Sequence, residues 1–171
     1  MIRIISLALF LSVFATKVNA NEYYVGVDHT QVRTDFAGVD AKPTAVTFKF
    51  AAELYNRTFL ELQTDISQSE DELLGVSIDA SSTKAALIRF RTPNFDKFSY
   101  DLALGYAKTE LNFTGNPQIY NGKEEFSGFA WGGRINYDLP YNMRLSADYL
   151  SRYNQDNLKI DSWSVGFSYH F

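Results

Sequence analysis

The chain has 171 residues, a formal net charge of −4, no cysteine and 16% aromatic residues, 14 Phe and 11 Tyr among them. The acidic balance argues against nucleic acid as a partner, and without cysteine neither disulfides nor thiolate metal sites are available. No run of about 20 apolar residues occurs, so no transmembrane helix is predicted, yet the aromatic content exceeds what a small soluble domain needs.

Met1-Ile2-Arg3 opens the chain with a positive charge. Ile4 to Ala15 is apolar but too short to span a bilayer as a helix, and Val18-Asn19-Ala20 is a small-x-small site. This is the pattern of a secretory signal peptide. Cleavage is expected after Ala20, giving a signal peptide over 1–20 and one domain over 21–171. Thr16-Lys17 interrupts the apolar run and argues against an uncleaved anchor helix. Loss of Arg3 and Lys17 lowers the net charge by two more.

Eight strands follow, each alternating with period two. The first covers about Glu22–Thr30, with Tyr23, Val25 and Val27 on one face. The second covers Thr44–Leu54, with Val46, Phe48 and Phe50 against Thr47 and Lys49. Tyr55-Asn56-Arg57 is a turn. The third is Thr58–Ser67, with Leu60, Leu62 and Ile66 against Glu61, Gln63 and Asp65. The fourth is Lys84–Thr92, with Ala86, Ile88 and Phe90 against Arg89 and Arg91. The fifth is Phe98–Thr109, with Tyr100, Leu102, Leu104 and Tyr106 against Asp101, Ala103, Gly105 and Ala107. The sixth is Phe126–Tyr137, with Phe129, Trp131, Ile135 and Tyr137 against Ala130, Gly132, Arg134 and Asn136. Asp138 to Asn142 is a turn. The seventh is Met143–Tyr153, with Met143, Leu145, Ala147 and Tyr149 against Arg144, Ser146 and Asp148. The eighth is Ile160–Phe171.

Links after the even strands are short. Those after the odd strands are generally longer: Gln31–Pro43, Gln68–Thr83, Glu110–Glu125 and Asn154–Lys159. This is the asymmetry of a transmembrane barrel with short periplasmic turns and long extracellular loops. An even strand number then places both termini on the periplasmic side.

The last strand is the most regular. Trp163, Val165, Phe167, Tyr169 and Phe171 alternate with Ser162, Ser164, Gly166, Ser168 and His170. Roughly ten residues is the reach of one tilted membrane-spanning strand. A lipocalin-like soluble barrel also alternates, with its apolar face inward. The terminal aromatic and the clustering of Phe, Tyr and Trp at strand ends favour the membrane. On that reading the charges opposite the aromatics point into the lumen, because Arg or Lys facing mid-bilayer lipid costs about 2–4 kcal/mol.

Glu61, Arg89, Asp101, Arg134 and Arg144 each lie within about four residues of a short turn, hence at similar heights. Side chains fill a barrel of eight strands, and an unpaired buried charge is costly. A network of Glu61 and Asp101 with Arg89, Arg134 and Arg144 is expected, extended by Asp148 and Lys49. It reads as a plug, with a gated channel as the alternative.

The terminal stretch resembles the C-terminal sorting signal of bacterial outer-membrane barrels at its four specified positions, Ser164, Gly166, Tyr169 and Phe171. The whole chain resembles the small eight-stranded outer-membrane barrels of the OmpA transmembrane-domain and OmpX/Ail type. The resemblance implies an all-β, antiparallel up-and-down transmembrane barrel in the bacterial outer membrane, contacting its lipid and lipopolysaccharide. It implies insertion by the outer-membrane assembly machinery. It also implies a part in envelope integrity, adhesion or evasion of host defences.

Catalysis is not expected. Lipid A deacylases of barrel type place a His–Ser pair on the outer wall near the outer leaflet. Here His170 and Ser168 fall on the inward face at the opposite end. A lipid-modifying enzyme is therefore the remote alternative, behind a narrow channel for ions or small solutes. His29, beside Asp28, reads as a solvated residue near the first loop with no second His or Cys nearby, so no metal is expected. Gly128 and Gly132-Gly133 lie in a strand pattern and form no phosphate loop, and no cofactor is predicted. The loops offer the surface for a host or surface ligand. The second holds Ser69-Glu70-Asp71-Glu72 beside Leu73-Leu74, an acidic run able to meet lipopolysaccharide phosphates through divalent cations. The third holds Phe113, Ile119 and Tyr120 around Gly115-Asn116-Pro117.

Overall fold

The computed structural model describes residues 22–36, 39–73, 76–115, 122–155 and 158–171. The expected signal peptide and its cleavage site lie outside the described residues, as do Leu74, Asn116, Pro117, Ile119 and Tyr120.

Among the described residues ten strands form one antiparallel sheet: β1 (Tyr23–Phe36), β2 (Val39–Ala41), β3 (Thr44–Tyr55), β4 (Thr58–Ser69), β5 (Asp71–Leu73), β6 (Val76–Arg91), β7 (Phe98–Gly115), β8 (Gly122–Asp138), β9 (Met143–Gln155) and β10 (Leu158–His170). The eight long strands pair with their neighbours in chain order, and β10 returns to β1, closing an eight-stranded barrel. The three-residue strands β2 and β5 only lengthen two hairpins, pairing with the ends of β1 and β6.

Closure runs over the full length of the last strand, from Tyr24 opposite His170 to Phe36 opposite Leu158. Tyr23 N donates to Phe171 O and Phe171 N to Tyr23 O, each at 2.9 Å. Gly166 makes this seam possible. A β-carbon there would come within 3.0 Å of the Val27 carbonyl oxygen and Asp28 Cα.

The short turns take the conformations their sequences allow. Asn56 and Arg57 have φ of 35° and 64°, and Tyr141 and Asn142 have 63° and 60°. Positive φ at two successive turn positions matches the right-handed twist of the flanking strands. These turns and both described chain ends share one end of the barrel, the turn end. The long connections share the other, the loop end.

The strands begin and end near their expected positions at the turn end but extend further at the loop end. β1 runs to Phe36 rather than Thr30, β6 starts at Val76 rather than Lys84, and β7 reaches Gly115 rather than Thr109. Phe113, expected in a loop, lies in β7. The physical reason is an inversion of the pattern. Over most of the barrel the outward positions are apolar, as with Leu102 (68% exposed) and Phe129 (63%), and the inward ones are polar. Toward the loop end Val32, Leu111, Leu158 and Ile160 turn inward and are buried, while Arg33, Lys123 and Lys159 face out. The apolar-out alternation ends there although the strand continues.

Candidate functional site

The lumen is filled in layers. At its centre Glu61 meets Arg89 Nε at 2.6 Å and Arg134 Nη1 at 2.8 Å, and accepts a hydrogen bond from the Tyr24 hydroxyl. Asp148 receives Arg89 Nη2 at 2.6 Å and Arg134 Nη2 at 2.8 Å. Two guanidinium groups thus bridge two carboxylates. Arg89 and Glu61 are fully buried. The bidentate fork of arginine suits this role better than lysine would.

Lys49 lies beside the cluster and pairs with Asp28 at 2.6 Å. Asp101 is 4.0 Å from Arg134 but is held more closely by Arg91 Nε and Asn136 Nδ2, each at 3.0 Å. Arg144 does not join the cluster. Its Nε pairs with Asp138 at 2.5 Å at the turn-end rim. The expected grouping of Arg144 with Glu61 and Asp101 is therefore corrected: β9 starts at Met143, so Arg144 sits closer to the rim than Arg89 or Arg134. Arg144→Ala is accordingly expected to lower stability by about 1 kcal/mol or less, as for a partly exposed pair. Denaturant midpoints in lipid vesicles measure this.

Four further side chains join the lumen's ion pairs and hydrogen bonds beyond those the alternation marks. Tyr24 lies on the face opposite Tyr23, Val25 and Val27, and its buried hydroxyl donates to Glu61. Asp28, beside His29 near the expected first loop, is buried in the lumen on Lys49. Arg91, on the inward face, pairs with Asp101 at 3.0 Å and with Glu22 at 3.3 Å. Arg152 pairs with Asp65 at 2.5 Å and donates to Thr83 Oγ1 at 2.8 Å. A bulge skips Arg152 in the β9–β10 register, so Ser151 and Arg152 are both buried and period two fails locally. Above this second ion pair the lumen turns apolar. Val32, Ala80, Leu111, Leu158 and Ile160 form a cluster with Phe113, Phe126 and Tyr153 packed against it.

At the turn end His170 links the two terminal strands. Its Nδ1 lies 2.5 Å from Glu22 Oε1, and its Nε2 lies 3.0 Å from Ser168 Oγ. The His170 hydrogen bond is the largest influence lowering the Glu22 pKa, with burial opposing it and Arg91 assisting. Ser168 faces the lumen, and a β-carbon at neighbouring Gly26 would press on both Lys49 Cε and Ser168 Cβ.

The four terminal-signal positions divide between the faces. Ser164 Oγ donates to Asp28 Oδ2 at 3.2 Å, and Gly166 lies against β1. Tyr169 and Phe171 face out, their rings 6.2 Å apart, and Phe171 stacks on Tyr23 at 6.0 Å. His29 is not beside a loop. It faces out from the middle of β1, with Val46 and Val165 as its register partners.

The apolar outer wall carries an aromatic series, Trp131–Tyr149–Trp163, with rings 6.0 and 4.8 Å apart. A closed antiparallel barrel that is apolar outside and charged within is a membrane-spanning β-barrel. The chain belongs to the outer-membrane β-barrel family, whose "Outer membrane protein beta-barrel domain" model matches residues 5–171. It is thus a protein of the bacterial outer membrane.

Solved structures agree on the fold. Ail, the attachment invasion locus protein of Yersinia pestis, solved in complex with the heparin analogue sucrose octasulfate, is 16% identical with a TM-score of 0.67. The match covers 88% of this chain and 98% of that one. Neisserial surface protein A is 13% identical with a TM-score of 0.61, covering 87% and 97%. OprG from Pseudomonas aeruginosa is 13% identical with a TM-score of 0.60, covering 89% and 96%. No curated protein sequence matches the chain.

Proposed function

We propose that this protein is a non-conducting, non-enzymatic barrel that anchors a surface for interaction on the outside of the cell. The observation that carries this reading is the lumen. The bridged cluster of Glu61, Arg89, Arg134 and Asp148 blocks the centre, and the apolar layer around Leu111 and Ile160 lies above it. Those residues form the plug, with Lys49 and Asp101 at its edges. A conducting lumen would need both layers to part.

The rest of the reading follows from this placement. The segment 1–20 is the signal peptide, removed after Ala20. Both termini and the short turns face the periplasm, and the long connections face outward. Ser164, Gly166, Tyr169 and Phe171 present the signal for the outer-membrane assembly machinery. The outer wall meets lipid and lipopolysaccharide. The strands projecting at the loop end carry the interaction surface, including exposed Lys123, Glu124 and Glu125. Ail was solved with a sulfated ligand, so heparin is a reasonable first probe.

The test displays the full protein on cells that lack it and measures adherence to heparin-coated and uncoated surfaces. A second form replaces residues 112–123, the tip joining β7 to β8, with a short turn. Adherence is expected to fall to the level of cells without the protein, while the amount of heat-modifiable folded barrel stays constant. Adherence that survives truncation of each loop in turn, or none by the unaltered barrel, would count against the interaction role.

A further inference from the structure

β1 exposes Val25, Val27, His29 and Gln31 on the outer wall. Val27 lies between Phe48 of β3 and Phe167 of β10, His29 between Val46 and Val165, and Gln31 between Thr44 and Trp163. Two successive outward positions thus carry hydrogen-bonding side chains, and the wall from His29 toward the turn end is apolar. Among the described residues neither side chain has a hydrogen-bond or ion-pair partner. Lipid tails offer none either. Polar and ionisable side chains in membrane-spanning segments are rare where they meet lipid, and they generally pair with another group.

The chemistry of this pair points to what covers it. An uncharged imidazole has one donor and one acceptor nitrogen, and a carboxamide has both kinds of atom too. Each group can therefore hydrogen-bond to its own kind. That is the requirement at a twofold axis, where one surface patch meets itself. An axis along the membrane normal keeps both copies in the same orientation and sets His29 and Gln31 of one β1 against those of the other. The short side chains of Val46 and Val165 beside His29 let two convex walls approach there. Apolar contact alone would not hold two barrels together, because lipid covers an apolar wall equally well. Hydrogen bonds between polar side chains supply the preference.

We propose that two copies of this protein associate side by side in the membrane through β1, with His29 and Gln31 of each hydrogen-bonded across the twofold axis. The chain has no cysteine, so a single introduced thiol reports the contact. Val27→Cys places one on β1, and Leu104→Cys places one on β7, four strands away and so on the opposite wall. The two replaced side chains are equally exposed, at 46%. Each full-length variant is expressed in cells, and the isolated outer membranes are treated with a short membrane-permeant bis-maleimide. Val27→Cys is expected to give a species of doubled mass and Leu104→Cys to stay monomeric. Adding His29→Val and Gln31→Leu to Val27→Cys should lower the crosslinked yield roughly tenfold. Adding His29→Gln instead, which keeps a donor and an acceptor, should retain it. Heat-modifiable migration is read on the same samples, and yields are taken per folded barrel. No crosslink at Val27→Cys, equal yields from the two walls, or a yield unchanged by the apolar replacements would overturn the dimer. Adducts joining the barrel to a different protein would overturn the second copy as the occupant.

Discussion

Replacing Glu61 with alanine is expected to destabilise the inserted barrel by about 3–5 kcal/mol, the cost of breaking a buried ion pair by removing one partner. Arg89 and Arg134 both lean on this carboxylate, and Tyr24 donates to it. Without it, Asp148 is the one close carboxylate left to both buried guanidinium groups, with Asp101 4.0 Å from Arg134. Arg134→Ala should cost a similar amount. The Glu61→Ala/Arg134→Ala double variant should lose less than the sum of the two, because each single change leaves a charge uncompensated that the double change removes. Urea unfolding in lipid vesicles, followed by Trp131 and Trp163 fluorescence, gives all three values. Losses below about 1 kcal/mol, or strict additivity, would mean that the cluster is wet and weakly coupled.

The second large effect is expected at the closing seam. Gly166→Val should abolish folding, both in cells and in spontaneous refolding into vesicles. Its β-carbon would fall within 3.0 Å of the Val27 carbonyl oxygen and Asp28 Cα, which are backbone atoms held by the β1–β10 ladder. Neither strand can retreat without opening the barrel, and an open edge in lipid leaves backbone groups unpaired. Removal of Phe171 should behave differently. It takes away a ring stack and one reciprocal pair of backbone bonds with Tyr23. Refolding into vesicles should survive largely intact, while assembly in cells should fall if the terminal aromatic is read as a signal. Heat-modifiable migration measures both. A folded Gly166→Val barrel at normal yield would refute the seam argument, and normal cellular levels without Phe171 would refute the signal.

The barrel was legible in the sequence because lipid imposes a simple rule on outward positions. Phe48, Phe129, Trp163 and Phe167 sit on alternate residues, and all are exposed on the wall. The rule holds only as far as the lipid does. Beyond it Val32 and Leu111 turn inward and Arg33 and Lys159 outward, so the loop-end halves of β1, β6 and β7 carry the opposite pattern. The inward charges were legible by the same alternation, but their pairing was not. Strand stagger decides which rows meet. It brings Glu61 of β4 to Arg134 of β8 across the lumen, and leaves Arg144 with Asp138 on its own hairpin. Arg152 was hidden by a bulge, which no period-two template anticipates. Alternation puts Tyr24 inward, but a tyrosine carries no charge that would mark it as a partner of the ion pairs, and only the stagger brings its hydroxyl to Glu61.

The claim on which the rest depends is that the lumen is shut. Planar-bilayer recording of the refolded chain 21–171, with insertion verified independently by heat-modifiable migration, tests it most directly. The unaltered protein is expected to give no stable conductance steps. Reproducible steps that change when Glu61 or Arg134 is replaced by alanine would contradict it, and would make the same four-residue cluster the gate of a channel.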